Sequence, residues 1–126
     1  MRPKVALSIG AVLALIFGLA LTFVPEQMLA SFGLASSTAG LVLSRDLGVV
    51  LIAVGVLNWM ARNAQPGPAL TAILWGNLLV QIFDVVLDSW HITSGQISEA
   101  GWGGVGLHVV LGVIFALAIL RPQKAF

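Results

Sequence analysis

Four stretches of the chain, residues 5–24, 41–61, 69–91 and 102–120, are almost continuously apolar. The intervals between them are short and rich in proline, glycine, serine and threonine. Each stretch has the roughly 20 residues a helix needs to cross a ~30 Å hydrocarbon layer. This pattern predicts an all-α, polytopic membrane protein: one domain over residues 1–126, folded as a four-helix transmembrane bundle with short loops. The first stretch follows a basic Met-Arg-Pro-Lys start, as in a signal peptide. It exceeds the roughly 7–15 apolar residues of a signal h-region, so it reads as a retained span. Pro25 ends it, and Pro25 to Phe32 predicts a short interfacial helix with Gly33 as its stop. Ala35 to Gly40 reads as loop. Asn63 to Pro68, with two prolines and a glycine, predicts a tight turn that folds the second and third spans into an antiparallel hairpin.

Polar positions break the pattern chiefly in the third span. Asn77, Gln81, Asp84, Asp88 and His91 recur at +4, +3, +4 and +3, which places them on one helical face among residues that belong in hydrocarbon. Ionisable groups inside a span are expensive and normally face a protein interior or a water-filled cavity. In the second span Arg45 and Asp46 lie about one turn inside the apolar run. In the fourth, His108 lies between Gly104 and Gly112 on one face. Small residues supply the packing surfaces: Ala6, Gly10, Ala14 and Gly18 at every fourth position of the first span, and Gly48 and Gly55 in the second.

Composition narrows the class. Charged residues are 9% and hydrophobic residues 59% of the 126, against about 25% charged in soluble domains. Mean hydropathy is +1.04. The net charge of +1 leaves no basic patch for nucleic acid. No cysteine is present, which excludes disulfides and thiolate chemistry. Arg2, Lys4, Arg62, Arg121 and Lys124 fall on one side of the predicted topology and only Arg45 on the other. The positive-inside rule therefore predicts that both termini are cytoplasmic, in an inner (plasma) membrane. Trp59 and Arg62 mark one interface, Trp90 and Trp102 the other.

Counting from the turns at about 1.5 Å per residue brings Arg45 level with Asp84 and Asp88, and His108 level with residues near 86. Arg45, Asp46, Asp84, Asp88, His91 and His108 are thus expected to converge, with Asn77 and Gln81 extending the polar face toward the bilayer centre. Several chemistries suit that set. An Arg45–Asp84 or Arg45–Asp88 ion pair would pin two helices together. The cluster could instead form a pocket for a small molecule, lipid headgroup or cofactor. Asp84, Asp88, His91 and His108 offer oxygen and nitrogen ligands for a metal, and His91 with His108 could ligate haem. Asp84 and Asp88 could also relay protons. No cofactor is specified by the residues, and no nucleophile–base pair or phosphate loop points to an enzyme.

Two segments carry a resemblance. Pro25-Glu26-Gln27-Met28-Leu29-Ala30-Ser31-Phe32-Gly33-Leu34, together with Arg45-Asp46-Leu47-Gly48 and Gly55-Val56-Leu57-Asn58-Trp59-Met60-Ala61-Arg62, resembles small four-helix bacterial membrane proteins of the DoxX-like and domain-of-unknown-function type. The resemblance covers the first half of the chain and implies a four-helix bundle without an established activity. Size and glycine-rich faces lead to a first expectation of a non-enzymatic accessory subunit. It would pack among membrane lipids with other membrane protein subunits, as in a respiratory or photosynthetic complex, or as a homo-oligomer. The alternative is a protein that binds a small ligand, lipid or cation through the Arg/Asp/His cluster.

Overall fold

The computed structural model describes residues 1–121; Lys124, counted above, lies outside them. Five α-helices run in the order α1 (Pro3–Phe23), α2 (Pro25–Ser31), α3 (Thr38–Ala61), α4 (Pro68–Thr93) and α5 (Trp102–Leu120), with a 3₁₀ turn over Glu99–Gly101. All but α2 are long and apolar enough to cross a membrane. The end of the bundle holding Pro3, the α3–α4 turn and Leu120 is called the terminal end below, and the opposite end the distal end.

Local chemistry sets the boundaries. Proline stands in the first turn of α1, α2 and α4, where its missing N–H costs nothing. Pro25 also disfavours helical geometry at Val24, which breaks α1 from α2. Gly33, at φ 72°, takes the left-handed conformation that stops α2. Thr38 to Gly40, expected as loop, are the first turn of α3. Ser37 Oγ accepts from Gly40 N–H at 3.0 Å and so caps three residues earlier than the apolar run begins.

Two antiparallel pairs make the bundle. In the first, α1 packs along α3, and glycine lets the backbones meet. A methyl group on Gly18 would sit 2.8 Å from Gly48 O, and one on Gly55 would sit 2.7 Å from Leu15 Cγ. The second pair is α4 with α5. The pairs join in the terminal half around Ala6 and Leu7 of α1, Leu70, Leu74 and Leu78 of α4, and Phe115 and Ala118 of α5. Gly10 belongs to this junction, since a methyl there would meet Phe115 Cζ at 2.7 Å. Large apolar side chains cover the outside of every span, as a lipid solvent requires.

The expected hairpin of α3 with α4 is thus a connection rather than a packed pair, because the glycine faces of α3 are used by α1. At the distal end the loops after α2 and α4 are joined by Ser98 N–H donating to Phe32 O at 3.0 Å.

Candidate functional site

The one side-chain link between α3 and α4 among the described hydrogen bonds is a reciprocal amide pair. Asn58 Nδ2 donates to Asn77 Oδ1 and Asn77 Nδ2 to Asn58 Oδ1, both at 2.8 Å, with a further bond from Asn77 to Ile73 O at 2.9 Å. Asn58 is fully buried beneath Gly10 and Phe115. Sequence reasoning singled out Asn77 and passed over Asn58. The signal was available: Asn58 lies three residues beyond Gly55, on the glycine face that α3 turns toward the interior.

Toward the distal end α4 and α5 carry the second polar group. His108 Nδ1 lies 2.7 Å from Gln81 Oε1 and 3.7 Å from Asp84 Oδ2, while its Nε2 lies 3.9 Å from Asp88 Oδ2. Gln81 Oε1 accepts the Nδ1 proton, and an imidazolium would offer its second proton to Asp88. Gln81 is buried, but the side chains of Asp84, Asp88 and His108 remain 38%, 33% and 26% exposed. Asp84 follows Asn77 by seven residues, about 20° round the helix, and so faces the α1–α3 side. Gly104 likewise lies within about 20° of Phe115 on α5. Phe115 is fully buried, yet a methyl on Gly104 would meet nothing within 4 Å. The interior faces that close in the terminal half are therefore open in the distal half, and the carboxylates stand at that opening. On the other flank of the α4–α5 contact, a groove of about 320 Å³ runs between Leu78, Gln81, Val85, His108, Gly112 and Ala116.

The remaining predicted members do not join this group. Arg45 and Asp46 are exposed, and among the described residues no ion pair links either to Asp84 or Asp88. The reasons are register and rotation. Measured from the Asn58–Asn77 contact, Arg45 stands level with Trp90 rather than Asp84, because α4 already runs from Pro68 to Asn77 before that contact whereas α3 ends at Ala61, just after Asn58. Arg45 also lies 13 residues from Asn58, about 140° round α3, on the side turned from α4. His91 is half-buried with its ring 5.2 Å from that of Trp90 and has no contact with His108 among the described ion pairs and hydrogen bonds. Among the described residues no three His, Asp or Glu side chains are placed to hold a metal ion. Asp84 and Asp88 approach one imidazole from its two sides rather than a shared point, whereas ligands of one ion must converge on it within about 2.0–2.6 Å. Of the small-residue faces, Gly10, Gly18, Gly48 and Gly55 are internal packing, Ala14 is half-buried and Gly112 lies against Gln81. At the terminal end the Arg62 guanidinium stacks 3.8 Å from the Trp59 ring centroid and donates to Trp59 O.

This arrangement defines an all-helical, multi-pass membrane protein with a polar group embedded between two spans. In comparisons with known proteins, no family model, no curated protein and no solved structure matches the chain.

Proposed function

We propose that this chain is a non-enzymatic membrane protein that binds a small cation-bearing molecule, such as an amine with an apolar body, at Asp84, Asp88 and His108. The observation that carries the reading is a charge imbalance. Two partly exposed carboxylates converge on one imidazole within a span, and no Lys or Arg pairs with them among the described residues. Uncompensated carboxylates in a low-dielectric layer are costly, and a cationic group relieves that cost. The opening beside the carboxylates, where a methyl on Gly104 would meet nothing within 4 Å, offers room for the apolar body of such a molecule.

Thermal unfolding in detergent, with dodecylamine compared against dodecanol, tests it. The amine should raise the melting temperature of the wild type and not of Asp84→Asn/Asp88→Asn. Equal shifts from amine and alcohol would overturn the proposal. A role as an accessory subunit is the second reading, favoured by the exposed Arg45–Asp46 pair, which calls for a partner outside the chain. The native mass of the untagged protein, extracted gently from its own membrane, separates a subunit of a large complex from a small assembly.

A further inference from the structure

The second exposed charge group, on α3, has a different geometry from the carboxylates of α4. Arg45 and Asp46 lie seven and eight residues inside α3 from Thr38, about 10–12 Å along the axis. Adjacent residues on a helix point about 100° apart and do not face each other. Arg45 can lift its guanidinium toward the headgroups; the short side chain of Asp46 cannot. Both are exposed, and neither has an ion-pair partner among the described residues.

The surface that carries them is ordered. Val42, Asp46, Val49, Ala53, Val56 and Met60 recur at +4, +3, +4, +3 and +4, all exposed, on the flank of α3 turned away from α1. This is the spacing of a left-handed helix–helix seam, with β-branched valine at every seventh place and alanine allowing close approach at the centre. Arg45 and Asp46 straddle the charged end of the seam.

We propose that this face of α3 is the interface with a second copy of the same chain. A two-fold axis along the membrane normal keeps both copies inserted in the same sense, so equivalent residues stand at equal depth. It also places residues from opposite flanks of the seam across from each other. Arg45 of one copy then meets Asp46 of the other, and Asp46 meets Arg45. Both pairs form at once, and both charges in the span are offset by the same contact. The adjacent Arg-Asp order is self-complementary under that symmetry, so no third protein is required.

Single cysteines test the seam cleanly because the chain has none of its own. Under mild oxidation in the native membrane, Val49→Cys and Val56→Cys should give disulfide-linked dimers. Val50→Cys, 100° round α3 from Val49, and Val110→Cys on α5 should cross-link at least fivefold less. In the Val49→Cys background, Asp46→Arg and Arg45→Asp should each reduce the dimer at least fivefold, since each places like charges across the seam. Arg45→Asp/Asp46→Arg restores self-complementarity and should restore the dimer. Equal cross-linking at all four cysteine positions would overturn the proposal. So would dimer yields untouched by the single charge changes, or capture of a different protein at Val49. The cysteine comparison uses otherwise unaltered protein, so it stands even if the charge variants fail to fold.

Discussion

Removing the amide of Asn58 tests most directly how the two helix pairs are held together. Asn58→Ala deletes two reciprocal 2.8 Å hydrogen bonds at a fully buried position and leaves Asn77 only its bond to Ile73 O. Interhelical hydrogen bonds in membranes average about 0.6 kcal/mol and reach about 1.7, so two of them are worth roughly 1–3 kcal/mol. The truncation also opens space beneath Gly10 and Phe115, and it strands polar atoms of Asn77, at about 1–3 kcal/mol for an unsatisfied group. Each single change, Asn58→Ala or Asn77→Ala, should therefore cost about 2–4 kcal/mol. The double variant should cost less than their sum by about 1–3 kcal/mol, because the second deletion removes a group the first has already stranded. Reversible unfolding of all four proteins in mixed micelles, followed by tryptophan fluorescence, measures the cycle. Additivity within about 0.5 kcal/mol would refute the reasoning and mean that the pair is incidental to packing.

Three further outcomes follow from the structure. Gly48→Ala should destabilise the bundle by about 1–3 kcal/mol, since its methyl would press on Thr22 and stand 2.7 Å from Gly18 O. Gly106→Ala, whose methyl meets nothing within 4 Å, should leave the same unfolding curve unchanged or shift it up. Both termini should be cytoplasmic by the distribution of basic residues; a reporter fused after Phe126 that is active only outside the cytoplasm would refute this.

Hydrophobic run lengths alone specified four spans, because a backbone in lipid must satisfy its own hydrogen bonds and a helix of about 20 residues does so. The proline and glycine punctuation likewise placed α2 and the turn before α4. Thr38 to Gly40 were missed, since a serine cap extends a helix beyond its apolar pattern. Of the six residues expected to converge, the level of His108 with Asp84 and Asp88 was legible, because register counts well along the packed pair α4 and α5; the contact of His108 with Gln81 was not read. Arg45 shows where counting stops. Its depth follows from its position in the chain, but its neighbours depend on which helix α3 packs against and how it is rotated. Gly18, Gly48 and Gly55 turn α3 onto α1, which carries Arg45 and Asp46 to the outside, while Asn58 faces inward and meets Asn77. Spacing within a helix is local geometry and is readable from the residues. The choice of partner helix is a competition among close contacts across the whole bundle, and only the tertiary structure decided it.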